Sequence, residues 1–249
     1  WALIINCLHN HLYLSMCIKH NFYFKINMEQ NSKESLRSVA QSKFLDGLLN
    51  FQLKPGKLLS QREIAQIINC SIPSVREALK ILESKGIVKL IPQRGVLIKE
   101  ISKKEVKDAY EIRSLIELRA LDLFFDEMSK KEIGLIIKKT KRLISTKKRK
   151  KHSEIDIFKE RIDLDHHLHR YIVSKMDNKI ISEFHRNTES ISLLARISLP
   201  PHYHIQGQSM FEHLEILNAI LNNNKSVAKK ALTNHLKQAA NRAMSSIKE

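Results

Sequence analysis

Apolar residues of this chain recur mostly at the spacing of an α-helix. Between residues 35 and 50 they return every three or four positions and then stop at a Pro-Gly turn within 53–56, which predicts one amphipathic helix. Beyond residue 102 the same period predicts six further helices, over 104–127, 129–146, 154–175, 178–198, 207–222 and 225–247. The pattern therefore predicts a mainly α protein, with an all-α helical bundle over residues 102–249.

The elements between these two parts are shorter. Ser60 with Glu63 three residues later is typical of a capping box, and Ser71 followed by Pro73 is typical of a helix start. Two β-rich segments come next, at 87–91 and 96–98. A helix, two short helices and a hairpin in this order predict an N-terminal winged helix-turn-helix over residues 35–101.

Residues 1–34 precede these elements, and we expect an extension outside the fold. Residues 1–27 are apolar, but polar residues at 9–11 interrupt them, and they have neither a basic start nor a small-residue cleavage site. A translation start at Met28 would explain them as upstream sequence. The three cysteines cannot all pair and lack Cys-x-x-Cys spacing, so the sequence suggests neither a disulfide framework nor a cysteine zinc site. This is typical of a reducing compartment, and we expect a cytoplasmic protein with no membrane partner.

The chain is strongly basic, with 43 Lys and Arg against 26 Asp and Glu and a net charge of +17. Such a charge attracts DNA, RNA or an acidic membrane surface, although the Lys-rich composition of an AT-rich genome explains it equally well. Charge alone would also suit a structural protein that binds nucleic acid without sequence preference. The basic run at 147–151 is interpreted as a solvated loop.

A helix that reads DNA needs small polar and basic side chains near its N-terminus. The second short helix has Ser71, Ser74 and Arg76 there. Arg62 begins the preceding helix, and Arg94-Gly95 at the hairpin tip would face the adjacent minor groove. Singly, each is more simply a cap or an exposed charge. Together they predict an interface with double-stranded DNA, which requires Arg62, Ser74 and Arg76 to share one accessible surface.

Four side chains that commonly bind metals fall on the apolar stripes of the predicted bundle: Asp165, His169, His213 and His235. A buried carboxylate is unfavourable unless it is paired. One carboxylate and three imidazoles suit Zn²⁺, Ni²⁺ or Mn²⁺ and leave coordination positions open. A single inward His is usually an ordinary core residue, so the prediction depends on the four together. A helical metal-dependent hydrolase is the alternative, but no general base is evident and the winged segment would have no role.

Residues 38–99 resemble the winged helix-turn-helix of the GntR family of bacterial transcription regulators. The matching stretches are 53–59, 62–65, 71–79, 86–88 and 92–95. The resemblance implies DNA contacts from Arg62, Ser71, Ser74, Arg76, Arg94 and Gly95. Ile72 stands where the family usually has Arg, and Pro73 precedes the usual Pro position by one. We therefore expect an operator different from the family's commonest one.

Residues 104–247 resemble the FCD effector domain of the FadR subfamily of that family. The matching stretches are 110–113 with Glu117, 165–169 leading to Asn178, 213–220 and 234–236. The resemblance implies a divalent metal, whose ligands in the family match Asp165, His169, His213 and His235 one by one.

It also implies a small carboxylate effector that could pair with Arg113. An ordinary surface Arg, or one paired with Glu117, is an equally good interpretation of this residue. We further expect a homodimer that spaces two winged modules about one DNA turn apart. The sequence does not indicate whether the effector raises or lowers operator affinity.

Overall fold

The computed structural model of the protein describes residues 35–145, 154–198, 207–245 and 247. The predicted extension and the basic run at 147–151 lie outside these residues. Helices predominate in the described part, so the mainly α prediction is confirmed. None of the described helices is both long enough and apolar enough to cross a membrane.

The first part of the chain folds as a winged helix-turn-helix in the predicted order. Its elements are α1 (Leu36–Leu49), β1 (Leu58–Leu59), α2 (Gln61–Ile67), α3 (Ile72–Ser84), β2 (Val88–Ile91) and β3 (Gly95–Ile98). The three helices begin at serine caps, since Ser35, Ser60 and Ser71 each accept a hydrogen bond from the backbone N–H three residues on. Glu63 completes the predicted capping box at Ser60.

The wing contains one strand more than the pattern predicted. The sheet is antiparallel with the order β1-β3-β2, and Val96 of β3 lies opposite both Leu59 of β1 and Leu90 of β2. A strand of two residues shows no alternation, so β1 is invisible in the sequence and depends on pairing with β3. Val96 and Ile98 point into the core with no exposed surface.

The second part of the chain contains the six predicted helices. They are α4 (Lys103–Leu123), α5 (Lys130–Ser145), α6 (Glu154–Ser174), α7 (Lys179–Ile197), α8 (Gln208–Leu221) and α9 (Lys225–Ser245). The first was predicted to reach residue 127, but it ends at Leu123 and a short 3₁₀ turn follows, Phe125–Glu127. This turn lets Phe125 and Met128 enter the core.

Helix α6 lies inside the bundle and contacts α4, α5 and α7, while α9 packs against α4 and α8. The apolar residues Ile162, Leu168 and Ile172 of α6 are buried. Burying such a side chain contributes roughly 1.5–3 kcal/mol. The apolar stripe of α6 is therefore held facing inward, and polar residues on the same stripe are carried inward with it.

The two parts of the chain are in contact both through the connecting residues 99–102 and at a more distant ion pair. Lys99 pairs with Glu105 of α4 at 2.6 Å, and Lys159 of α6 pairs with Asp46 of α1 at 2.6 Å. Buried Ile101 belongs to a hydrophobic core that continues from one part to the other. The winged segment and the helical bundle thus touch through apolar and charged contacts.

Candidate nucleic-acid interface and metal centre

Helix α3 has one buried and one exposed face. Val75 and Leu79 are buried, whereas Ile72, Pro73 and Arg76 are exposed. Arg76 stands one turn beyond Ile72, so the two share a face. Basic and apolar groups are therefore presented together at the N-terminal half of α3.

Arg62 lies near this face on α2. It is exposed, and Gln61 beside it accepts a hydrogen bond from Arg76 Nε at 3.3 Å. Within the described part of the chain, no carboxylate forms an ion pair with Arg62 or Arg94. Unpaired guanidinium groups are available for phosphate oxygens or base edges.

Ser74 differs from the expectation drawn from the sequence. Its side chain is buried, and its hydroxyl donates to the backbone oxygen of Ser71 at 2.8 Å. Ser71 itself is exposed and accepts from the Ser74 N–H as the helix cap. Ser74 therefore reinforces the start of α3, and the structure does not place it on the accessible surface with Arg62 and Arg76.

The wing turn places Arg94 in solvent and needs glycine at the next position. Gly95 has φ +125°, and a Cβ there would come within 2.6 Å of the Leu59 carbonyl oxygen. An open groove of about 410 Å³ lies between the turn and the start of α2, lined by Ser60, Gln61 and residues 90–95. The predicted wing residues thus border the same side of the winged segment as α2.

Four predicted metal ligands converge inside the bundle. Asp165 and His169 come from α6, His213 from α8 and His235 from α9, and one ligand atom from each lies within 4.8 Å of the others. All four are buried, with at most 1% of each side chain exposed. Packing of the three helices therefore brings together residues separated by as many as 70 positions.

The separations between these ligand atoms fit a bound cation. His235 Nε2 lies 3.2 Å from His169 Nε2 and 3.3 Å from His213 Nε2, and His213 Nε2 lies 3.3 Å from Asp165 Oδ1. Ligands around a tetrahedral ion at about 2.0–2.1 Å are about 3.3 Å apart. The separation of His169 Nε2 from Asp165 Oδ1 is wider, at 3.9 Å.

The hydrogen bonds around the group also point to a cation. Nδ1 of His169 donates to Glu117 at 2.5 Å, and Nδ1 of His235 donates to Glu212 at 2.7 Å. Both Nε2 atoms are then bare lone pairs facing each other when the rings are neutral. Asp165 Oδ1 is buried without a hydrogen-bond partner. Acceptors gathered in this way need a positive charge between them, so these residues could hold a metal.

Protonation states agree with ligand roles. Burial lowers the pKa of His169 more than Glu117 raises it, and burial with the nearby His213 lowers the pKa of His235 to about 3. Burial opposes ionisation of Asp165, but Arg196, at 2.8 Å from Oδ2, and the neighbouring histidines hold its pKa well below its usual range. Neutral imidazoles and an ionised carboxylate are the forms that bind metals.

Arg113 forms a buried pair with Glu117, with Nε 2.9 Å from Oε1. Only 3% of its side chain is exposed, so of the interpretations left open, pairing with Glu117 is observed and a surface position is wrong. Burial opposes its charge, but Glu117, Tyr110 and Asp165 together raise the pKa of Arg113. Whether it also meets an effector stays a prediction.

Sequence reasoning missed three polar groups around the centre: His185, Arg196 and Glu212. Glu212 and Arg196 bond to His235 and Asp165 directly. His185 of α7 is 1% exposed and lies 2.9 Å from Glu117. A polar residue on the apolar stripe of a helix is the sequence feature that could have indicated these residues. Their hydrogen-bond partners are identified only by the folded chain.

Comparison with known proteins agrees with both parts of the structure. Residues 40–98 match the family described as "Bacterial regulatory proteins, gntR family", and residues 108–238 match the FCD domain. Among curated relatives, the uncharacterized HTH-type transcriptional regulator YdhC of Bacillus subtilis is 26% identical over 76% of this chain and 82% of its own length. The HTH-type transcriptional repressor RspR of Escherichia coli is 24% identical, over 75% and 79%.

The fold has solved counterparts. A putative GntR transcriptional regulator from Rhodococcus sp. RHA1 superposes with a TM-score of 0.68 at 18% identity, covering 85% of this chain and 99% of that one. These relatives are regulators and not enzymes, and the hydrolase alternative is not supported. The FCD domain implies effector binding, and the winged helix-turn-helix implies DNA binding. The chain belongs to the GntR family of bacterial regulatory proteins and carries an FCD domain after its DNA-binding domain.

Proposed function

We propose that this chain is a cytoplasmic transcription repressor whose operator affinity is controlled by a small carboxylate bound beside a divalent metal. The observation that carries the proposal is that exposed Arg62 and Arg76 precede, in one chain, a buried centre of four converging ligands. The name of the repressor RspR supports repression as the direction. We place the boundary between the DNA-binding domain and the effector domain between residues 101 and 102, because Ser102 caps the first helix of the bundle.

In the proposed metal centre, Asp165, His169, His213 and His235 hold Zn²⁺, Ni²⁺ or Mn²⁺. The ion would supply a Lewis-acidic position for an effector carboxylate. Arg113 is anchored by Glu117 through Nε, so its terminal nitrogens are left to meet the effector, and one of them contacts Ser192 at 3.4 Å. The positive charge of Arg113 favours an anionic effector.

In the proposed DNA complex, α3 enters the major groove and the wing lies beside it. The duplex is contacted by Arg62, Ser71, Arg76, Arg94 and Gly95. Ser74 does not contact it but stabilises the start of α3 through its hydrogen bond to the Ser71 carbonyl. Ile72 is exposed beside Arg76 and can pack on a thymine methyl. Effector binding changes operator affinity, commonly by about 1–3 kcal/mol of coupling.

We also propose a homodimer formed by the helical bundle. Helices α4 and α7 pack together, and Leu115, Ile180 and Phe184 on them are 65%, 70% and 61% exposed. Large exposed apolar side chains on these two helices support an interface with another protein. Two-fold symmetry would place two winged domains on the half-sites of a near-palindrome. We expect Phe184→Glu to shift the sedimentation coefficient towards the monomer.

The DNA proposal is tested by mobility-shift titration on an operator selected from genomic fragments. Arg76→Ala should weaken binding by about 1–3 kcal/mol if Arg76 reads a base. Arg119→Ala, which removes one positive charge from α4, is the matched control. Equal affinity of the Arg76 variant and the wild type would remove Arg76 from the interface. Binding without sequence preference and with a steep salt dependence would favour the charge-only alternative.

The metal proposal is tested by titrating chelator-treated protein with Zn²⁺, Ni²⁺ and Mn²⁺ separately. At 100 times the dissociation constant, the bound ion should raise the free energy of unfolding by about 2.7 kcal/mol. His213→Ala should lose this effect, whereas His167→Ala, on α6 but outside the group, should keep it. A wild-type protein with no metal-dependent stabilisation contradicts the proposal. A thermal-shift screen of small carboxylates on the metal-loaded protein then identifies the effector class.

A further inference from the structure

The three imidazoles of the metal centre differ in what their second nitrogen contacts. Nδ1 of His213 is buried without a hydrogen-bond partner, whereas Nδ1 of His169 and of His235 each donate to a carboxylate. For His235 that carboxylate is Glu212. The partly exposed Arg242 donates to both Glu212 oxygens, from Nη1 to Oε1 at 2.6 Å and from Nη2 to Oε2 at 2.7 Å. For His169 it is Glu117, whose surroundings are different.

Glu117 is the centre of a closed polar network. Its side chain has no exposed surface, and it accepts from His169 Nδ1 at 2.5 Å, from Arg113 Nε at 2.9 Å and from His185 Nε2 at 2.9 Å. His185 is itself buried and lies on α7, opposite α4. One carboxylate thus joins a metal ligand, the arginine proposed to meet the effector, and a histidine that has no other role so far.

These bonds decide which nitrogen of each ring carries hydrogen. Because Nδ1 of His169 donates to a carboxylate, its Nε2 keeps the lone pair that faces Asp165, His213 and His235. Because Nε2 of His185 donates, that ring is fixed as the opposite tautomer. Glu117 is therefore the shared acceptor for all three donors.

We propose that Glu117, held in place by His185, is a positioning residue that orients His169 for the metal and Arg113 for the effector. This inference rests on the proposed function, since it needs the metal. It adds two residues to the site, neither of which touches the ion. It also implies that metal and effector act on one shared carboxylate, so loss of Glu117 affects both.

The first experiment compares Glu117→Gln with Glu212→Gln, using Zn²⁺ alone and competition with a colorimetric chelator. Each variant removes the carboxylate that accepts from one metal-ligand imidazole, and such losses typically weaken metal affinity about 10–100-fold. In Glu117→Gln, ¹⁵N NMR of the His169 ring should also show loss of the single tautomer, while Glu212→Gln should leave His169 unchanged. An unchanged affinity and an unchanged His169 signature in Glu117→Gln would overturn the proposal.

The second experiment tests His185 without changing a carboxylate. His185→Gln keeps an N–H donor towards Glu117 and should bind Zn²⁺ nearly as the wild type does, whereas His185→Leu should bind more weakly. Urea unfolding in excess chelator separates loss of folding from loss of affinity. Equal affinity of the Leu and Gln variants overturns the role of His185. If the wild type itself fails to bind Zn²⁺, Ni²⁺ or Mn²⁺, the proposed function fails instead.

Discussion

At the scale of single residues, exposure decides what a side chain can do. Ser74 and Arg76 stand two positions apart in α3, yet the Ser74 hydroxyl is used inside the helix cap, whereas the Arg76 guanidinium is exposed and donates from Nε to Gln61. The same rule explains Arg113. On the surface its ion pair with Glu117 would be weak, but both side chains are buried, so each depends on the other as a partner. The local partners of each side chain therefore separate structural roles from binding roles.

Glu105 at the start of α4 gives a pH-dependent prediction at this scale. Lys99 and the Ser102 cap outweigh the effect of burial and lower its pKa to about 2. A carboxyl whose folded pKa is depressed stabilises the fold above its unfolded pKa of about 4.5, and this contribution is lost as pH falls towards about 2. Glu105→Gln removes the charge that pairs with Lys99 and favours the helix N-terminus, so it should cost about 0.5–1 kcal/mol at neutral pH, with the difference from wild type shrinking through this window.

Urea denaturation at a series of pH values measures this difference. Glu111→Gln, at an exposed position of the same helix, is the control and should give a difference that stays small at every pH. A deficit for Glu105→Gln that persists unchanged down to pH near 2 would contradict the assigned cause.

At the scale of elements, two glycines show that the same residue type has opposite uses. Gly95 begins β3 with a positive φ and close contact to the Leu59 carbonyl, whereas Gly134 lies within α5 with open space in the direction that a Cβ would take. The wing strand therefore requires glycine, because any side chain would strain the turn and meet backbone. The helix only tolerates it.

Alanine at these two positions should change stability in opposite directions. Gly95→Ala should lower the free energy of unfolding by about 1–3 kcal/mol, because the left-handed backbone and the contact with Leu59 are both unfavourable for a Cβ. Gly134→Ala should raise it by about 0.5–1 kcal/mol, because alanine is the better helix former. Chemical denaturation of both variants checks the signs. A stabilising Gly95→Ala would mean that the wing turn adopts another conformation.

At the scale of the whole molecule, α6 links the candidate metal centre with the DNA-binding part. It carries Asp165 and His169 on its inner stripe and Lys159, paired with Asp46 of α1, elsewhere on its surface. One helix thus carries two candidate metal ligands and a residue in contact with the winged segment. The pair is partly exposed, so its own energy is small.

The Asp46–Lys159 pair is tested with a double-mutant cycle. Asp46→Ala and Lys159→Ala should each change stability by less than about 1 kcal/mol, with a coupling energy that falls as salt is added. Lys104→Ala and Asp108→Ala, within α4, form a matched exposed pair for comparison. A coupling energy near zero in low salt would show that the contact between the parts does not depend on this pair.

Helix starts and inward stripes were predictable from the sequence because caps and periodicity act over a few residues. Ser60 with Glu63 and Ser71 with Pro73 act within one turn, and the stripe of α6 follows from side-chain spacing alone. The fold class and the family follow from such local patterns, and both are confirmed. The residues proposed to bind DNA, metal and effector stay predictions, although the structure brings the four metal candidates together.

Tertiary packing decided the rest, because hydrogen bonds around the centre join residues far apart in the chain. Glu117 meets His169 across 52 positions and His185 across 68, and no local pattern records such distances. β1 exists only because β3 pairs with it, and the burial of Ser74 depends on how α3 sits in its domain. The sequence determines which residues face inward on each helix, whereas the packing of the helices determines which of these inward residues contact one another.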